Sequence, residues 1–391
     1  MQTYKLEMPK SILAGEDSIK KIDSLIQDKY KKVTIFTSDP IIESGIVGLV
    51  EDELKKLNIS YEVIKDIAVE PSYIEAQKVI DEFKEHKSDL IIAIGGGSVI
   101  DTAKLASLLS TDDLLVKDLL DNPSLAKKHV HSLIIPTTAG TGAEATPNAI
   151  VAVPEEELKV GIVNAEMIPD YVILDPITLK TLPKHIAAST GIDTMCHAIE
   201  CITSNKANPL SDTFAYRSMD LVLKNLENSC NNKEDVDAKA KMLLASFYGG
   251  ISITASGTTG VHALSYPLGG KYHIAHGVSN AILLIPVMKF NEDVCREDLA
   301  NVYDYCYKDG QGLSDEEKSK NLLTIMADMV KNLKIPTSLK EFNVDKNDLE
   351  DLVEASMKVT RLLNNNKKEI KAEDAREIYE QVIKGEENAI R

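Results

Sequence analysis

The run Leu90-Ile-Ile-Ala-Ile94, followed at once by Gly95-Gly-Gly-Ser98 and the apolar stretch beginning at Val99, constrains the fold more than any other segment. A strand that is apolar at every position has no face to offer water, so it predicts the interior of a parallel sheet covered on both sides. The flanking sequence agrees. Val33–Thr37 and Ser60–Ile64 read as strands, and Ile41 to Leu57 and Tyr73 to His86 as helices with apolar residues at helical spacing. Further strands are predicted at Ser132–Ile135, Ala149–Val153 and Tyr171–Leu174, and the alternation predicts one parallel α/β sheet with right-handed crossovers.

After Pro183 the strand signals stop. From Ile186 onward the chain reads as helix after helix, broken at Asn208-Pro209, Asn231-Asn232, Gly249-Gly250 and Gly310-Gln-Gly312. The tail from Asn364 to Arg391 is polar but keeps helical periodicity. A chain of 391 residues is too long for one ordinary core. The expectation is therefore an α/β dinucleotide-binding domain over 1–182 and an all-helical metal-binding domain over 183–391.

Gly95-Gly-Gly-Ser98 lies between the best strand and a helix. Glycines there permit positive φ and close approach of backbone N–H groups, and the helix start adds unpaired donors and partial positive charge. The same residues also read as a tight turn in which Ser98 is the N-cap and Asp101 completes a capping box. The spacing is not the G-x-G-x-x-G fingerprint. Asp39, after the strand that ends at Thr37, either accepts from ribose hydroxyls and disfavours a 2′-phosphate or caps the helix opening at Pro40. It precedes the glycine turn, where the usual fingerprint places its acid afterwards. Pro136-Thr137-Thr138-Ala-Gly-Thr-Gly-Ala-Glu144 ends another strand with hydroxyls and glycines, suited to phosphate and ribose or to a polar turn. Lys159, in the strand-like Glu157–Gly161, reads as a solvated residue.

A second chemistry sits in the helical half. Asp193 and His197 in Gly191-Ile-Asp-Thr-Met-Cys-His-Ala-Ile-Glu200 are one helical turn apart and leave the same face. His262 and His276 follow in a stretch that holds three of the eight histidines. One carboxylate and three imidazoles suit a borderline divalent metal, Fe(II) or Zn(II). Tyr266, four after His262, and His273, three before His276, are candidates for moving a proton, with His273 as the shuttle and Tyr266 as substrate-orienting.

The net charge of −17 argues against nucleic acid and anionic membranes as partners, and no run of about eighteen apolar residues predicts a membrane span. Five cysteines without CxxC spacing predict reduced thiols and a cytoplasmic protein, with Cys196 a packing residue.

Gly95–Ser98 with Asp101 and Lys104, Pro136-Thr-Thr-Ala-Gly-Thr141, Gly191–Glu200 and His262…Pro267-Leu-Gly-Gly270…His276-Gly-Val-Ser-Asn-Ala281 together resemble the iron-containing (group III) alcohol dehydrogenases. The resemblance implies Asp193, His197, His262 and His276 as metal ligands. It implies Asp39, Gly95, Gly96, Gly97, Ser98, Thr137, Thr138 and Lys159 in the dinucleotide site, with Asp101 beside them. It also implies an N-terminal dinucleotide domain, a C-terminal helical domain and a site in the cleft between them. Two positions depart from the common pattern: Tyr266 stands where many members carry a histidine, and Glu70-Pro71-Ser72 where many read Asn-Pro-Thr.

The expected activity is hydride transfer between NAD(H), in preference to NADP(H), and a small alcohol, aldehyde or ketone, with Fe(II) as the metal and zinc also accepted by the ligand set. A homo-oligomer, a dimer, is the expected assembly. The alternatives are a zinc-dependent polyol dehydrogenase of the glycerol type, a hydroxy-acid dehydrogenase and, more distantly, a dehydroquinate synthase on the same scaffold.

Overall fold

The computed structural model describes residues 3–111 and 113–385. The chain divides into two compact units. The first comprises Glu7–Leu182 and Lys233–Gly250. Among its described residues, a six-stranded parallel sheet is built from β1 (Ser11–Ala14), β2 (Lys32–Phe36), β3 (Ser60–Ile64), β4 (Leu90–Gly95), β5 (His131–Pro136) and a last strand, Tyr171–Leu174. Between these lie β6 (Asn148–Val153) and β7 (Leu158–Val163), so the last strand is β8, and the sheet order is β1-β8-β5-β4-β2-β3.

The apolar run does what its composition requires. All six residues of β4 are buried. Ile91 and Ala93 point into a core with Phe36, Ile80 and Phe83, while Leu90, Ile92 and Ile94 enter a second core with Ile35, Val50 and Leu54. Alternate side chains of one strand thus meet helices on opposite faces, the arrangement that demands apolar residues at every position.

Three local expectations are corrected. Residues 149–153 do not join the parallel sheet: β6 pairs antiparallel with β7 as a separate hairpin, and its alternating burial marks a strand covered on one side. Ser11–Ala14 supplies the sixth strand, an edge paired with β8 that is too short to give a periodicity signal. The stretch Ile41 to Leu57 forms two helices, Asp39–Glu43 and Ile46–Lys56, separated by Gly45 at φ 83°.

The second unit comprises Met1–Leu6, Pro183–Asn232 and Ile251–Arg391, of which residues 1, 2 and 386–391 lie outside the described residues, as does the end of the predicted helical tail. Its helices include Lys184–Ile202, Pro209–Asn231, Gly260–Tyr272, His276–Cys306, Asp315–Asn332 and Ala372–Lys384. The Asn208-Pro209 break is a helix start: the Asn208 side chain accepts from the N–H of Leu210 and Ser211, with Pro209 in the first turn.

The units are not the two continuous stretches 1–182 and 183–391. Lys233–Gly250 belongs with the sheet, and the helix Val236–Ala255 runs straight through Gly249-Gly250. Gly250 is there for proximity: a Cβ on it would lie 2.4 Å from the carbonyl oxygen of Gly142, whose N–H donates to Ser246 Oγ at 3.2 Å. Among the described residues no helix is long and apolar enough to cross a membrane. All five cysteines are free and buried.

Candidate functional site

Three helices of the second unit bring Asp193, His197, His262 and His276 together. Lys184–Ile202 carries the first pair one turn apart, Gly260–Tyr272 carries His262, and His276 opens the helix His276–Cys306. Gly277 is what lets that last helix start close in, because a Cβ on it would meet the Ser189 carbonyl oxygen at 2.4 Å. The Nε2 atoms of His197, His262 and His276 each lie 3.5 Å from Oδ1 of Asp193, and one donor atom from every residue falls within 4.8 Å of the others. Asp193, His197 and His262 are buried, and His276 is partly exposed.

Burial alone would raise the Asp193 carboxyl, but the charges of His197, His276 and His262 outweigh it and hold the group far below the usual carboxylate range. Burial likewise opposes charge on His262, yet Glu200 and Asp193 raise it to about 9. Three imidazole nitrogens turned towards one carboxylate oxygen form a nitrogen-and-oxygen donor set that fits Fe(II) or Zn(II).

Two residues without an expected role complete this cluster. Glu200, wholly buried, bonds His262 Nδ1 through Oε2, while its Oε1 accepts from Val261 N (2.7 Å), Thr259 Oγ1 (2.8 Å) and Thr259 N (3.0 Å). Asn280 places Nδ2 2.7 Å from Asp193 Oδ1 and 3.2 Å from Nε2 of both His262 and His276. Its buried Oδ1 has no hydrogen-bond partner. Both were accessible to helical spacing: Glu200 is three residues past His197, and Asn280 is four past His276. An inward carboxylate or amide beside a ligand is the usual companion of a metal-binding histidine.

The proton candidates separate. Tyr266 is buried, its ring centroid 6.3 Å from that of His276. His273 is exposed and ends its helix at φ 53°; the helix runs through Gly269-Gly270, so the turn lies at His273 itself and not at the glycines.

The dinucleotide candidates lie in the first unit, at the carboxyl ends of parallel strands. Gly95–Ser98 follows β4, Thr137 and Thr138 follow β5, and Asp39 follows β2. The glycine turn and the threonine loop meet: Thr137 N–H donates to the Gly95 carbonyl at 3.0 Å, and Cβ atoms on Gly96 and Gly97 would lie 3.3 Å and 2.9 Å from the Cγ2 atoms of Thr138 and Thr141. Positive φ is not the reason for these glycines, since none of the three adopts it; close approach is. Thr37, directly after β2, has a buried Oγ1 without a hydrogen-bond partner. A glycine cradle at a helix N-terminus, packed against a threonine loop, fits the phosphates of a dinucleotide.

The capping readings do not hold. Gly96 is the N-cap of Gly97–Leu109, so Ser98 sits inside the first turn and its Oγ accepts from Glu70 N–H at 2.9 Å. Asp101 instead accepts from Ile150 N–H (3.0 Å) and pairs with Lys104 at 2.9 Å. Lys104, fully buried, donates to the Ala143 carbonyl at 2.9 Å and thereby ties the threonine loop to the glycine-turn helix. Asp39 is in the first turn of its helix, with Ser38 at the N-cap, and pairs with Lys65 at 2.9 Å. Lys159 is not a solvated strand residue: it is buried on β7 and pairs with Glu70 at 2.7 Å.

Comparison with known proteins decides the family. A model described as iron-containing alcohol dehydrogenase matches residues 9–176, and one described as Fe-containing alcohol dehydrogenase family, C-terminal, matches residues 187–383. The chain belongs to the iron-containing alcohol dehydrogenase family. This alcohol dehydrogenase is 33% identical over 358 residues to long-chain-alcohol dehydrogenase 1 of Geobacillus thermodenitrificans, covering 91% of the present chain and 90% of that one. It is 30% identical over 344 residues to alcohol dehydrogenase 4 of Saccharomyces cerevisiae, covering 88% and 89%. The solved alcohol dehydrogenase from Oenococcus oeni superposes with a TM-score of 0.91 at 26% identity, over 97% of this dehydrogenase and 100% of that chain. The protein is thus a metal-dependent alcohol oxidoreductase.

Proposed function

We propose that this dehydrogenase interconverts a small alcohol with its aldehyde or ketone using NAD(H), with Fe(II) held by Asp193, His197, His262 and His276. The observation that carries the reading is the convergence of three Nε2 atoms on one buried carboxylate oxygen. A divalent ion bound there supplies Lewis acidity to the substrate oxygen, and a nicotinamide supplies the hydride chemistry.

The remaining work falls to the chain. Glu200 fixes the tautomer of His262 by taking its Nδ1–H, so that Nε2 faces the cluster. Asn280 donates to Asp193 Oδ1 and holds that carboxylate in place. Tyr266, buried beside His276, orients the substrate. His273, exposed at the end of the same helix, exchanges the proton with water. In the first unit the Gly95–Ser98 turn and Thr137 seat the phosphates, and the Asp39 carboxylate favours a free ribose hydroxyl over a 2′-phosphate.

Zinc suits the same donors, and the usual affinity order favours it over Fe(II), so metal availability decides the occupant. A cytoplasmic location and a homodimer complete the proposal; the five buried thiols agree with a reducing compartment. The test is anaerobic purification, reconstitution with Fe(II) or Zn(II) and the loss of NADH near-ultraviolet absorbance across short aldehydes, ketones and keto acids. NADH oxidation by aldehydes that requires added Fe(II) supports the reading. No activity with either ion, or activity with keto acids alone, overturns it.

A further inference from the structure

Glu70 stands at φ 53°, in the left-handed region where a glutamate is disfavoured and an asparagine is tolerated. Such a conformation persists when surrounding contacts hold it, and here three do. The Glu70 N–H donates to Ser98 Oγ in the first turn of the glycine-turn helix at 2.9 Å. The Glu70 carboxylate pairs with Lys159 Nζ at 2.7 Å, and Lys159 is buried. The next residue, Pro71, accepts from Ala152 N–H on β6 at 3.0 Å, and Ala152 faces Lys159 across the hairpin. The chain therefore places a carboxylate, a buried ammonium and the first turn of the glycine-turn helix in direct succession.

An anion seated at that turn meets Lys159 already neutralised, with a negative charge attached to the turn itself. Coulomb attraction from the lysine and repulsion from the glutamate act at similar range and largely cancel. We propose that Glu70 is a specificity-determining residue that sets the affinity for the phosphate end of the dinucleotide by competing with it for Lys159. This rests on the reading that the glycine turn seats NAD(H). Glu70 keeps dinucleotide binding weak enough for exchange, and it does so through charge alone, since its backbone contact to Ser98 is independent of the side chain.

Glu70→Gln keeps the size of the side chain and Glu70→Asn suits the left-handed backbone; both remove the charge. Because the chain has no tryptophan, binding is followed through the emission of NADH itself on the metal-reconstituted protein, with inorganic pyrophosphate and adenosine as displacing probes. Both variants should bind NADH and pyrophosphate about tenfold more tightly, equivalent to about 1.4 kcal/mol, with adenosine unaffected. Lys159→Met should weaken NADH and pyrophosphate. Unchanged or weaker NADH binding in both Glu70 variants, while Lys159→Met still weakens it, overturns the proposal and leaves the cofactor site standing. NADH binding indifferent to Lys159→Met overturns the placement of the phosphates and the proposal together.

Discussion

Glu200 and His262 share a buried hydrogen bond from one helix to the next, through Nδ1 of the ring, and this leaves Nε2 turned towards Asp193. The other Glu200 oxygen gathers the backbone N–H groups of Thr259 and Val261, so the carboxylate also anchors the start of the helix that carries His262. Glu200→Gln should lower metal affinity by about 10–100-fold, the usual cost of losing such a partner. Competition against a chelator of known affinity measures it; an unchanged dissociation constant would remove Glu200 from the metal's support.

Asp39 and Lys65 form an exposed pair at the end of β2. Asp39→Gly removes the charge that repels a 2′-phosphate and leaves Lys65 to attract one. The ratio of kcat/KM for NADH over NADPH should fall by about tenfold. A constant ratio would reduce Asp39 to a residue that favours its helix N-terminus and nothing more.

Glu144, in the threonine loop, is fully buried, and burial raises its carboxyl to about 7 against the opposing charge of Lys104. Between pH 4.5, the ordinary value, and pH 7 the folded chain therefore binds more protons than the unfolded one. Stability from this group is complete below that window and is lost as pH rises through 7. Glu144→Gln stays neutral and should flatten the decline, leaving the variant more stable at pH 8 by at most about 3 kcal/mol. Denaturant melts of both proteins across this range provide the check; parallel curves would contradict it.

Tyr266 and His273 lie on one helix in unlike settings, the first buried and the second exposed. If His273 is the shuttle, His273→Gln should lower kcat and change the shape of its pH profile, while Tyr266→Phe preserves that shape. The reverse pattern would transfer the role to Tyr266.

Much of this was legible in the residues, because strong local signals and the final packing agreed. Leu90–Ile94 is apolar throughout since both of its faces are covered, and the four ligand types share helical spacing or a short glycine-rich stretch. What escaped depended on distant partners. Nothing local reveals that β6 turns away from the sheet to pair with β7, or that Gly250 exists to admit Gly142. Lys159 looked solvated because its partner Glu70 lies far back in the chain, and Ser98 looked like a cap because Gly96 can start the helix earlier. Glu200 was inside a stretch already singled out, but a carboxylate three residues past a ligand acquires its role only when His262 arrives from another helix.

The central claim is that Asp193, His197, His262 and His276 hold one divalent metal ion. Elemental analysis of anaerobically purified wild type, His262→Ala and His276→Ala, each checked for folding by circular dichroism, tests it most directly. The account predicts one equivalent of Fe(II) or Zn(II) per wild-type chain and loss of that metal and of turnover in both variants, with helical content unchanged. Full metal occupancy and normal turnover in both variants would contradict it.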